Sequence, residues 1–162
     1  MTIRQVSFTS RLRAESLAAS SHIAVISITD PGTPEASLDN GFADVLRLAF
    51  FDAVPADEYL PAPLPGLFDH GMARQIGDFV RELHAATADI SLLVHCEYGV
   101  SRSAAVALFA AAHTGAPLAA REFAYDANHW VVELLSRLYP DLPVDIPAEE
   151  GASERRATPR AA

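Results

Sequence analysis

A cysteine and an arginine stand in one short segment, His95-Cys96-Glu97-Tyr98-Gly99-Val100-Ser101-Arg102-Ser103. It is framed by the apolar run Ser91-Leu92-Leu93-Val94-His95 on one side and the small, apolar stretch Ser103 to His113 on the other. The first reads as a buried strand and the second as a buried helix. A tight loop from strand to helix leaves successive backbone N–H groups free to meet an anion, and the helix start adds positive potential. Arg102 adds a planar fork matched to two phosphate oxygens. Cys96, at the strand end, would lie beneath the phosphorus, where the same field favours the thiolate, the form that attacks. Gly99 lets the loop turn where a side chain would clash. An arginine at a helix N-terminus is electrostatically misplaced unless it meets an anion, so the pattern points to phosphate chemistry.

The elements that must position this loop are legible on both sides of it. Ile3 to Phe8 alternates as a strand, and Ser10 can cap a short helix through about Ala19. His22 to Thr29 reads as a buried strand closed by the turn Asp30-Pro31-Gly32, and Val45 to Phe50 as a third strand. A proline-rich loop follows, with Pro55, Pro61, Pro63 and Pro65 before Gly66. Phe68, Met72, Ile76, Phe79, Val80 and Leu83 recur at helical spacing. Gly115 ends the helix after the loop, Pro117 is placed to open another, and Trp130 to Leu138 forms the last. Strands alternating with helices predict an α/β fold: a mostly parallel central sheet flanked by helices on both faces. The phosphate-binding loop then falls between a central strand and a buried helix. Ligands in such folds gather beyond the carboxyl ends of the strands, where Phe51-Asp52 also falls. The predicted domain is residues 1–139, and the polar, proline-broken stretch 140–162 is expected to be disordered.

HCEYGVSRS resembles the H-C-x-x-G-x-x-R-[ST] loop of the cysteine-dependent protein tyrosine phosphatases, in particular the compact dual-specificity branch. The likeness in element order runs from about Ile23 to Leu138, with the loop as its specific part. The resemblance implies an enzyme that hydrolyses phosphotyrosine or dual-specificity protein substrates without a cofactor. It implies that Cys96 is the nucleophile and forms a thiophosphoryl intermediate. Arg102 and the loop residues Glu97, Tyr98, Gly99, Val100 and Ser101 would bind the phosphate. Ser103 would stabilise the departing thiolate, and His95 would orient the loop without acting as the base. The family's general acid is an aspartate on a loop after an earlier strand; Asp52 stands at that place, with Asp57, Glu58 and Asp69 as alternatives. An inactive phosphoprotein-binding module with the same cradle is the second expectation. An arsenate-reductase chemistry is disfavoured, since it commonly needs further cysteines.

Composition narrows the partners. The 162 residues carry a formal charge of -9 with no lysine, and all twelve basic residues are arginine. An acidic chain of this kind argues against nucleic acid or an anionic membrane as partner. Glu97 in the loop, where relatives that act on inositol lipids tend to carry lysine, disfavours a phosphoinositide substrate; a phosphorylated protein or peptide is expected. His22, His70, His84, His113 and His129 show no paired ligand spacing, so no metal site is expected. Arg4, Arg11 and Arg13 interrupt the N-terminal region, Ala104 to Ala112 is too short to cross a bilayer, and the single cysteine fits a reducing compartment. A cytoplasmic location is therefore expected.

Overall fold

The computed structural model describes residues 2–55 and 65–150. Four strands, β1 (Ile3–Ser10), β2 (Ile23–Thr29), β3 (Asp44–Ala49) and β4 (Ile90–Cys96), form one sheet in the order β1-β4-β2-β3, and every pair is parallel. The fold is α/β, as the alternation of elements predicts. β4 lies between β1 and β2, with Ser10 opposite Cys96 and Ser27 opposite His95. Its apolar run is buried on both faces, which a central parallel strand requires.

The two faces are covered unequally. Ala24, Ile26 and Ile28 of β2 and Leu92, Val94 and Cys96 of β4 point to one side, where they join a single core cluster. The helices α2 (His70–Ala85), α3 (Arg102–Thr114) and α4 (His129–Leu138) pack with one another on that side. Val25, Ser27, Leu93 and His95 alternate to the other side, which carries α1 (Arg11–Ser16) and the connection 30–43. Ala14 and Ala36 are buried there, and Ser37 N–H donates to Glu15 to join the two segments. A parallel pair usually needs a helical crossover. The β2–β3 connection has none: its Pro-Gly-Thr-Pro sequence has no helical period, so irregular backbone supplies the cover.

Local chemistry sets most of the boundaries. Ser10 caps α1 through a bond from Arg13 N–H, but the helix ends at Ser16 rather than near Ala19. Asp69 accepts from Met72 N–H and caps α2. Gly115 sits in the left-handed conformation that closes α3. The expected helix at Pro117 does not form. Residues 117–119 instead run beside the outer edge of β1: Val6 N–H donates to Pro117 O, and Ala119 N–H to Val6 O. β1 is an edge strand, and its unpaired backbone groups compete successfully for this segment. A 3-10 helix follows at Arg121–Asp126. Packing also runs past Pro140, since Leu142, Val144 and Ile146 lie half-buried against the core. Their apolar period of two between prolines places the last packed residues beyond the boundary read at 139. Residues 151–162 of the expected tail lie outside the described residues, as do Pro61 and Pro63. No helix among the described residues is long and apolar enough to cross a membrane.

Candidate functional site

Cys96 is the last residue of β4 and Arg102 the first of α3, so the loop between them spans the carboxyl edge of the sheet. Cys96 is 3% exposed. Its Sγ lies 3.1 Å from Ser103 Oγ, and Gly99 N–H donates to it at 3.3 Å. The sulfur thus lies within hydrogen-bond distance of one hydroxyl and one backbone N–H. Gly99 has φ +73°, and a Cβ there would meet Thr9 C at 2.4 Å and Ser10 N at 2.5 Å. Glycine is required twice over, by backbone conformation and by the end of β1 against which the loop turns.

His95 fixes the strand behind the cysteine. Its Nδ1 lies 3.3 Å from Cys96 O, an atom that can only accept, so the proton is on Nδ1. Nε2 then accepts from the Ser27 hydroxyl at 2.6 Å. Burial, opposed by the bond to Cys96 O and reinforced by nearby Arg11, holds the His95 pKa below the ordinary imidazole value. The ring is a buried tether with both nitrogens bonded within the fold.

Arg102 is 4% exposed, and its Nη1 is fully committed: it donates to Asp30 Oδ1 at 2.7 Å and to Phe50 O at 2.6 Å. Asp30 follows β2 and Phe50 follows β3, so two strand ends clamp one edge of the guanidinium. Nε is buried and has no partner among the described residues. A buried guanidinium nitrogen left unbonded is costly in isolation. An oxyanion beside Cys96 would satisfy it and complete the fork.

The helix start is open as well. Ser101 is the N-cap of α3, yet its side chain makes no cap bond. Its hydroxyl donates to Asp52 Oδ1 at 2.7 Å, and Asn128 Nδ2 donates to the same oxygen at 2.9 Å. Among the described residues no backbone acceptor takes the N–H groups of Tyr98, Val100 or Ser101. Asp52, Cys96, Tyr98, Val100, Ser101 and Arg102 together line a cleft of about 480 Å³, with Asp126 on its wall. With Oδ1 held by two donors, Oδ2 of Asp52 is the carboxyl oxygen without a donor among the described residues. The arrangement therefore has a buried sulfur, an oriented carboxyl and a set of N–H donors around one cavity.

No protein-family model, no curated protein and no solved structure matches the chain.

The residues expected from the sequence to form the site, Cys96, Arg102, Ser103, Asp52, His95 and the loop residues Glu97 to Ser101, come together at this one edge of the sheet. Asp69 does not join them: its carboxylate is spent capping α2. Asp57 and Glu58 lie outside the described residues. Three contributors lie outside the residues expected from the sequence. Asp30 reads in sequence as a turn residue, although its place after a buried strand is a usable signal. Asn128 caps α4 by accepting from Trp130 and Val131 N–H while its amide reaches Asp52 and Ala53 O. Asn ahead of an apolar helical period marks such a cap, but nothing local marks its second task. Asp126 enters the wall because the 3-10 helix brings it there. Among the described residues no cluster of three or more His, Cys, Asp or Glu is arranged to hold a metal ion.

Proposed function

We propose that the chain is a cysteine-dependent phosphatase of the tyrosine and dual-specificity type, hydrolysing phosphate monoesters on proteins. The observation that carries this reading is Arg102: a buried guanidinium with Nη1 clamped and Nε unbonded among the described residues, set in the same cleft as the sulfur of Cys96. A merely structural arginine would have its buried nitrogens satisfied.

The reaction follows from the groups present. The substrate's phosphate oxygens take the Arg102 fork and the free loop amides. The Cys96 thiolate attacks phosphorus; the P–O bond to the leaving group breaks, and Asp52 gives its proton to the departing oxygen. In the second step Asp52, now a carboxylate, takes a proton from water as that water attacks the thiophosphoryl group. The P–S bond breaks, inorganic phosphate leaves, and the sulfur recovers its negative charge beside Ser103 Oγ and Gly99 N–H. One ester and one water give one alcohol or phenol and one phosphate, with no cofactor in the balance.

The test is phosphate release from p-nitrophenyl phosphate by wild type and Cys96→Ser, with acid-quenched mass spectrometry of the wild type during turnover. Release that is abolished in Cys96→Ser, together with a phosphate adduct on the Cys96 peptide, supports the reading. A folded wild type that binds a phosphopeptide but releases no phosphate from any ester replaces it with a phosphoprotein-binding module.

A further inference from the structure

The surroundings of the cradle are apolar and acidic. Tyr98 and Val100, on the cleft wall, are 82% and 43% exposed. Phe51 and Val54 flank Asp52 and Phe123 precedes Asp126 by one 3-10 turn; all three are exposed. Seven large hydrophobic side chains are exposed among the described residues, and five of them lie within three positions of a cleft-lining residue. Single exposed apolar residues are ordinary, but two of these line the cavity itself and three more adjoin its lining in sequence, which marks a contact surface.

The charges around it are one-sided. Among the described residues Arg102 is the one cation lining the cleft, and Asp30 already pairs with it. Asp52 and Asp126 line the same cleft, and Asp126 forms no ion pair among the described residues. Glu97 stands in the loop, and its partner Arg11 is shared with Glu15. One phosphate can be held by the buried, half-unbonded guanidinium. A second anion in the cleft meets carboxylates and, among the described residues, no further lining cation.

We propose, on the reading of the site given above, that it selects a single aryl phosphate, a phosphotyrosine, carried on a peptide with neutral or basic flanks. Tyr98 is the apolar wall against which the ring and its neighbours lie, and Asp126 is the specificity residue that rejects acidic flanks and second phosphates. An aromatic ester gains from an aromatic rim what a short seryl ester cannot reach. Like charges a few ångströms apart across a solvated rim repel enough to move a rate ratio by about tenfold, and salt screens that repulsion.

The experiment compares kcat/KM on phosphotyrosyl peptides of one length whose flanks are lysine, alanine, glutamate or an added phosphoserine. Each is measured at low and moderate ionic strength, with p-nitrophenyl phosphate and a phosphoseryl peptide alongside. The expected order is lysine, then alanine, then glutamate and phosphoserine, spanning ~10-fold or more at low salt and narrowing as salt rises. Asp126→Lys and the milder Asp126→Asn should both raise the glutamate-to-lysine ratio. Tyr98→Ala should lower kcat/KM for the phosphotyrosyl peptide more than for the phosphoseryl one. Turnover of p-nitrophenyl phosphate with no preference among flanks, with acidic flanks preferred, or with a ratio unmoved in both Asp126 variants overturns this inference and leaves the phosphatase standing. No turnover of any ester, the aryl phosphate included, overturns the phosphatase reading and this one with it.

Discussion

The hydroxyl of Ser101 lies 2.7 Å from Oδ1 of Asp52, so the residue in the N-cap position of α3 orients a carboxyl from another loop instead of capping its own helix. Asn128 supports the same oxygen from the start of α4. The carboxyl is thus aimed by two elements, and removing either donor should misplace it. Asp52→Asn is expected to lower kcat/KM by ~10²–10⁴ on an ester with a poor leaving group, and by less on p-nitrophenyl phosphate, whose phenolate departs without a proton. Ser101→Ala and Asn128→Ala should fall between wild type and Asp52→Asn, with the same dependence on leaving group. A loss that is equal for good and poor leaving groups would remove Asp52 from the role of acid.

Arg102 offers a sharper test, because its charge and its shape separate. Lysine keeps the charge but cannot donate to Asp30 and Phe50 O while also presenting a fork to phosphate. Arg102→Lys should lower kcat/KM by ~10²–10³ and weaken inhibition by inorganic phosphate or vanadate in parallel. Near-wild-type activity in the lysine variant would show that the unbonded Nε is not a ligand for the substrate.

The backbone of β1 stands where a side chain at position 99 would go, and Gly99 itself has positive φ. Gly99→Ala should therefore displace the loop and cost roughly 1–3 kcal/mol of stability. Urea titration measures the second effect and vanadate affinity the first. Unchanged stability and affinity together would mean the loop has room that the geometry denies.

Two histidines set a pH dependence. His95 and His113 are both held below the ordinary value of 6.5, each chiefly by burial. In the unfolded chain they titrate near that value, so below it the unfolded state binds more protons than the folded one. Their contribution to stability is present in full above about pH 6.5 and is lost as the pH falls toward the folded values. Urea midpoints between pH 5.5 and 7.5 should decline on the acid side. The decline should flatten in His113→Asn and flatten further when His95→Asn is added. A slope untouched by both substitutions would assign it to other groups.

The four strands and the loop at Cys96 were legible because each is a local pattern: an apolar run, a glycine, an arginine at a helix start. The cover of the second face was not, because the connection 30–43 is held by side-chain and backbone bonds such as Arg11 to Glu35 O and Arg47 to Ala36 O. These leave no period in the sequence. The helix expected at Pro117 failed for a tertiary reason, the open edge of β1. The grip of Asp30 on Arg102 joins residues 72 positions apart, and only the finished sheet brings them together.

That separation has a kinetic side. β1 and β2 are consecutive in the chain but are not neighbours in the sheet; β4, formed some 80 residues after β1, inserts between them. Gly99 turns against β1, Arg102 is clamped by the ends of β2 and β3, and Asp52 is aimed by the start of α4. No partly folded chain lacking that insertion has a competent cradle, so in refolding the ability to bind vanadate should return only with the slowest phase, behind any early burst of helix.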